Sequence, residues 1–179
     1  LGPAFIKFGQ ALATRADLIG PEMSHALAQL QDRLPPFPAN VARQLVANQS
    51  GKPLEHSFKS FEDEAIAAAS IAQVHRATLL DGRMVAVKLL RPGIEKRMRA
   101  DTDLFDSLAH ILETIAPGLR RLKLVQAVAQ FRNISETELD LRLEAAAGGR
   151  LADNLTGDHG IYVPWIDLVN STKRMLIIE

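Results

Sequence analysis

Asp81-Gly82 stands between two β-like segments, about 71 to 80 and about 84 to 91, and this dipeptide suits the positive φ angles of a tight hairpin turn. The second segment carries Val85-Ala86-Val87-Lys88, an apolar strand with a cation near its end. A hairpin at the middle of the chain has to be completed by its flanks, and most of the flanking text is helical. From Pro3 to about Leu34, Phe5, Phe8 and Leu12, then Met23, Leu27 and Leu30, recur every three or four residues, with Gly20-Pro21 separating two helices. Pro35-Pro36-Phe37-Pro38 stops the second, and 39 to about 49 reads as a third, closed by Ser50-Gly51. Another β-like segment covers about 55 to 66. Beyond Pro92-Gly93, helices are predicted from about 94 to 115 and about 122 to 155, the latter broken near Asn133, and Ile161 to Val169 and Arg174 to Ile178 read as strands. The expected fold class is α+β, with about five antiparallel strands and helices packed on them.

With 47% apolar residues the chain of 179 can bury a sizeable core. Lys and Arg number 21 against 21 Asp and Glu, so no chain-wide field draws it to nucleic acid, and no nucleic-acid partner is expected. The absence of cysteine excludes disulfides and thiolate metal sites, and the five histidines show no H-E-x-x-H spacing, so no metal ligands are assigned. No apolar run reaches the length of a membrane span. The first residue is Leu1 and Glu179 closes an apolar run, so the chain is expected to be a piece of a longer protein.

The candidate chemistry lies between the first two β-like segments. In Ala67-Ala68-Ala69-Ser70-Ile71-Ala72-Gln73-Val74, the residues Ala67, Ala69, Ala72 and Val74 take the spacing of the phosphate-covering kinase loop G-x-G-x-x-G-x-V. Alanine keeps such a loop small but denies it positive φ. A small-residue turn packed on a helix has the same spelling. Further on, Val85-Ala86-Val87-Lys88 matches V-A-[IV]-K, in which the lysine reaches the α- and β-phosphates and the alanine lies against adenine. A lysine on an apolar strand also blunts a sheet edge. Loop, hairpin and strand order together favour a nucleotide.

Such a lysine is held by a carboxylate from a neighbouring helix. Glu136, Asp140 and Glu144 recur every four residues and share a face if the helix is regular, with Glu138 pointing elsewhere. Glu144 opens Glu144-Ala145-Ala146-Ala147-Gly148-Gly149, whose small residues let a helix approach a sheet closely; a solvated acidic face is the other reading. The distance in sequence from Lys88 to Glu144 sets the chain apart from ordinary protein kinases.

Over essentially its whole length the sequence resembles the UbiB family of atypical kinase-like proteins, also called the aarF-domain or ADCK family. The resemblance rests on Lys7-Phe8-Gly9-Gln10 for K-x-G-Q, within Leu1-Gly2-Pro3-Ala4-Phe5-Ile6, on the alanine loop through His75, and on Lys88 followed by Arg91-Pro92-Gly93-Ile94. Glu138-Leu139-Asp140 supplies E-x-D, with Glu144 four residues on. Ala72 stands where many members carry glycine.

The resemblance implies a helical extension over 1–53 and a kinase-like small lobe over 54–179 with a helical insert at about 94–155. A second lobe, holding the magnesium ligands, is expected to follow. It also implies binding of ATP and ADP in support of ubiquinone or related isoprenoid quinone biosynthesis, as an ATPase or an unorthodox kinase. A nucleotide-gated, non-catalytic lipid or quinone-precursor binding protein is the alternative. Lys88, Glu144, Lys7, Gln10, Glu138 and Asp140 are the implied catalytic set. Ala67, Ala68, Ala69, Ser70, Ala72, Val74, Ala86, Lys88, Ile178 and Glu179 would line the nucleotide, the last two at the border of the hinge. Implied partners are a small or isoprenoid-lipid substrate and other quinone-biosynthesis proteins. The implied location is the cytoplasmic face of a bacterial inner membrane, or a mitochondrion, with the present segment soluble and any membrane contact carried by a C-terminal segment.

Overall fold

The computed structural model describes residues 2–14, 16–29, 34–157 and 160–179; Leu1 and Leu30 lie outside them. Among these residues the helices are α1 (Pro3–Ala13), α2 (Ala16–Ile19), α3 (Pro21–Ala28), α4 (Ala39–Ser50), α5 (Ile94–Ile115), α6 (Leu124–Glu138) and α7 (Leu141–Asn154). The strands are β1 (Phe58–Ala68), β2 (Ala72–Leu79), β3 (Met84–Leu90) and β4 (Met175–Ile178). They form one sheet in the order β1-β2-β3-β4, antiparallel throughout.

The chain divides into two compact units. One contains the described residues up to Leu34 with Pro92–Thr137; the other contains Pro35–Arg91 with Glu138–Glu179. The division differs from the boundary expected at residue 53, because α4 packs on the sheet.

In the sheet unit, strand alternation does the sorting. Val85, Val87 and Leu89 of β3 are buried on one face, against Ala42 and Val46 of α4 and together with Phe58, Phe61, Ala77, Leu79, Met175 and Ile177. Met84, Ala86 and Lys88 project to the other face and remain partly or fully exposed. The β2–β3 hairpin closes as its dipeptide requires: Gly82 has φ +93°, and Leu79 N donates to Arg83 O at 2.9 Å. β1 starts later than expected, because Pro53 opens a 3-10 turn over Leu54–His56.

Three expectations from the sequence are corrected. Among the described residues four strands form, not five: the segment Ile161 to Val169 contributes only the bridge Ile166 to Ile178. Pro164 has no N–H to give a ladder, and the Asp167 carboxylate accepts from Val169 N at 3.1 Å and Asn170 N at 2.9 Å, turning the chain away. The long helix breaks at Leu139–Asp140 and not at Asn133, so Glu136, Asp140 and Glu144 do not share one regular helix face. The first helical stretch divides into three helices, and α3 buries none of its residues; Met23 is 54% exposed.

In the helical unit α1 packs on α5 through aromatic edges. Phe5 meets Phe105 at 4.6 Å between centroids, and Phe8 lies 5.1 Å from Phe105 and 5.2 Å from Phe131. No helix among the described residues is long and apolar enough to cross a membrane.

Candidate functional site

The open face of the sheet gathers much of the expected chemistry. Lys88 projects from β3, opposite Val74 of β2 and Leu176 of β4 in register. Its ammonium donates to both carboxylate oxygens of Glu144, at 2.7 and 3.0 Å. The two residues are 56 positions apart in sequence. Glu144 reaches the strand because of how α7 begins. Asp140 caps the helix by accepting from Arg142 N at 3.2 Å, and Leu141 N donates to Lys173 O at 3.0 Å, fixing the first turn beside the approach to β4. Leu141 and Ala145 are then buried one turn apart, and Gly148 comes against Ile166; Glu144 stands at the edge of that face.

The Arg142 guanidinium lies 2.6 Å from Asp140 and holds its carboxyl below the usual value of 3.8. Asp140→Ala is expected to remove about 0.5–2 kcal/mol of stability, the range for a lost N-cap, measured by chemical denaturation. A carboxylate whose pKa is depressed by folding stabilises fully above its unfolded value. The difference between the two proteins is therefore expected to persist at neutral pH and to vanish as pH falls below about 3.8 through the lowered native value.

The alanine loop is a short turn. Ala68 pairs with Gln73 as the last rung between β1 and β2, and Ala69 N donates to Ala72 O at 2.8 Å. Ala67 pairs with Val74, and Ser70 at the turn is buried. Ala86 lies between Arg76 and Ile178 in register. A cavity of about 460 Å³ opens beside it, lined by Ile66, Arg83, Met84, Trp165 and Glu179 among others. The Arg83 guanidinium covers the Trp165 ring at 3.8 Å. Glu179 accepts from the Tyr162 hydroxyl and from Trp165 N, which draws its carboxyl below the usual range and raises the Tyr162 phenol.

Lys7 and Gln10 lie on α1 in the helical unit, while Glu138 ends α6 and Asp140 caps α7 in the sheet unit. Glu138 and Asp140 are thus split by a helix junction and do not act as neighbours on one helix. Among the described residues no group of three histidine, aspartate or glutamate side chains converges on a metal position.

Three polar residues around the turn have roles that the sequence reading did not assign. Gln73 and His75, both buried, point inward from β2. Gln73 accepts from Phe37 N at 2.7 Å, donates to Phe37 O at 3.3 Å and meets His75 Nε2 at 2.7 Å, while His75 Nδ1 is 2.8 Å from Glu62 O. The carbonyl partner requires a proton on Nδ1, which makes Nε2 the acceptor for the Gln73 amide. Arg91 reaches back to Ala69 O and Pro35 O. The available signal was the alternation of β2, which puts Gln73 and His75 on the same inward face as Ala77 and Leu79.

The arrangement has a chemical use. A lysine oriented by a carboxylate presents its charge to an anion in front of the sheet, and Ala86 leaves a shallow floor for a flat ring.

A family model described as the ABC1 atypical kinase-like domain matches residues 29–179. The "Probable protein kinase UbiB" of Marinobacter nauticus is 44% identical over 179 residues, covering 100% of this chain and 33% of that protein. That of Shewanella frigidimarina is 39% identical over 180 residues, with coverage of 100% and 33%. Among solved structures, "The complex structure of Rv3197-erythromycin from Mycobacterium tuberculosis" matches with a TM-score of 0.65 and 32% identity, over 99% of this chain and 44% of that one. The chain spans about a third of the length of these curated relatives.

Proposed function

The chain belongs to the ABC1 atypical kinase-like domain family, and from that premise we propose that its sheet unit is the nucleotide-facing small lobe of an ATP- and ADP-binding protein. The parent protein supports biosynthesis of ubiquinone or a related isoprenoid quinone, as an ATPase or as a kinase for a small or lipid-derived substrate, at the cytoplasmic face of a bacterial inner membrane. The observation that carries this reading is the Lys88–Glu144 pair on the open face of the sheet, two strand residues along from the small Ala86 on the same face. Lys88 would hold phosphate oxygens, Glu144 would keep Lys88 aimed, and Val74, Ala86 and Ile178 would enclose the base. The alanine turn would cover the phosphates. The bound nucleotide supplies the phosphoryl group, with magnesium ligands expected from residues beyond this chain.

A nucleotide-gated binding role without phosphoryl transfer is the second reading. It draws on the turn, where the Ala69 amide is already committed to Ala72 O, and on the Mycobacterium tuberculosis relative, whose structure is a complex with erythromycin. Magnesium-dependent product formation by the full-length protein separates the two.

The nucleotide reading is tested by titrating ATP and ADP into full-length protein carrying Lys88→Ala. Loss of charge-assisted bonds to phosphate, roughly 1.5–3 kcal/mol, predicts an affinity lower by about 10- to 150-fold. The fold should hardly notice, since the Lys88 and Glu144 side chains are 29% and 50% exposed and an exposed pair contributes about 0–1 kcal/mol. Unchanged affinity in the folded variant would overturn the reading.

A further inference from the structure

Arg91 follows β3 three residues after Lys88 and faces the back of the alanine turn. Its main-chain N–H donates to Ile71 O at 2.9 Å, and its Nε donates to Ala69 O at 2.8 Å. One residue therefore holds two carbonyls of the same short turn. The outer arm of the guanidinium donates to Pro35 O at 2.9 Å, and the guanidinium carbon lies 5.9 Å from the Phe37 ring centroid. Gln73, just past the turn, grips the backbone of Phe37. The turn and the 35–37 segment are thus stitched together at two points by side chains.

A peptide unit is planar and trans, so its C=O and N–H point in opposite directions. With Ala69 O fixed on the Arg91 side, the N–H of the same peptide, that of Ser70, is directed away from the guanidinium. Lys123 is the sole non-glycine residue of positive φ among the described residues, so the turn uses no left-handed backbone. Alanine and serine limit the states open to the turn, and Arg91 selects among those that remain.

We propose that Arg91 is a positioning residue for the alanine turn: by holding the Ala69 carbonyl it fixes the orientation of the Ala69–Ser70 peptide, and with it the direction in which the turn offers an amide to a phosphate. The phosphate clause rests on the nucleotide reading above; the holding of the turn stands on geometry alone. Lysine cannot replace arginine here, because a point charge on a flexible stem does not serve Ala69 O and Pro35 O from one rigid fork.

The test uses full-length protein, with ATP and ADP titrated separately and amide hydrogen exchange of residues 69–72 followed without nucleotide. Arg91→Met keeps an apolar stem beside Phe37 but removes the side-chain donors. Exchange in the turn is expected to rise roughly tenfold, the factor carried by one lost hydrogen bond, and the ratio of ATP to ADP affinity to change. Arg91→Lys should show the same two changes, and it carries the comparison if the methionine variant does not fold. Lys88→Ala should weaken both nucleotides and leave exchange in the turn as in the wild type. Unchanged turn exchange in the folded Arg91 variants overturns the positioning role. Faster exchange with an unchanged affinity ratio, in a protein whose binding does respond to Lys88→Ala, overturns the link to phosphate. If Lys88→Ala leaves binding untouched, the nucleotide reading falls, and the exchange comparison still decides whether Arg91 holds the turn.

Discussion

Gln73→Ala is expected to lower unfolding free energy by about 2–4 kcal/mol, because it strands several polar groups at once. The buried His75 Nε2 loses its donor, and Phe37 N and Phe37 O lose the amide that satisfied both. Phe37 is only partly buried, so water recovers some of its share; His75, with no exposed surface, recovers none. Gln73→Leu and His75→Phe, made singly and together, isolate the coupling, since removing both partners leaves fewer orphans than removing one. The stacking of Phe61 on the His75 ring, 4.8 Å between centroids, leaves room for an aromatic substitute. Denaturant melts of the four proteins give the interaction energy. Additive losses would mean that the Gln73–His75 contact contributes nothing of its own.

The same network carries a pH dependence. Burial pushes the His75 pKa below its usual 6.5. Between that native value and 6.5 the unfolded chain binds more protons than the folded one, so stability rises with pH through this window and is lost as acid is added. The chemistry agrees: a proton on Nε2 would turn the acceptor of the Gln73 amide into a second donor facing it. Wild type is expected to lose stability as pH is lowered from 6.5, while His75→Phe stays flatter over the same range. Parallel curves for the two proteins would show that His75 does not carry the effect.

Particular residues show where the sequence was readable. Asp81-Gly82 and the alternation from Val85 to Leu89 are local signals, and they place β2, β3 and the half-buried Lys88 on the open face without knowledge of any other part of the chain. Glu144 was within reach because a motif named it, although its partner lies 56 residues back. The junction at Leu139–Asp140 was hidden, since the apolar spacing from Leu139 to Leu143 runs on through the break, although Leu143 is 50% exposed. Only the geometry of the cap, Asp140 accepting from Arg142 N, shows that the helix restarts there. The segment from Ile161 looked like a strand because it is apolar, but Pro164 and the Asp167 turn leave it a single bridge. Gln73, His75 and Arg91 were the least readable: their partners are main-chain atoms of Phe37, Glu62 and Ala69, which no pattern of side chains identifies.

Gly148→Val is expected to open the Lys88–Glu144 pair from a distance. A Cβ at Gly148 would sit 2.2 Å from Ile166 Cδ1, and one at Gly149 would sit 3.4 Å from Leu168 Cδ1, so α7 rests against the 166–168 segment through bare backbone. Glycine inside a helix is unfavourable by about 0.5–1 kcal/mol relative to alanine, and close approach is what this helix gains in return. Alanine at 148 asks only the tip of a half-exposed Ile166 to swing aside, so its steric penalty and its helical preference nearly cancel. Valine adds two branches that no single rotamer of Ile166 clears, and overpacking of this kind destabilises by roughly 1–3 kcal/mol. Relief comes most readily from moving α7 outward. Glu144 lies one turn before Gly148 on the same side of the helix, so it moves with it and loses Lys88. ATP affinity of the full-length variant is then expected to fall toward that of Lys88→Ala, and Gly148→Val combined with Ile166→Ala should restore much of it by emptying the contested space. A loss of stability with unchanged affinity, or no recovery in the folded double variant, would show that something other than the Gly148–Ile166 contact sets the position of Glu144.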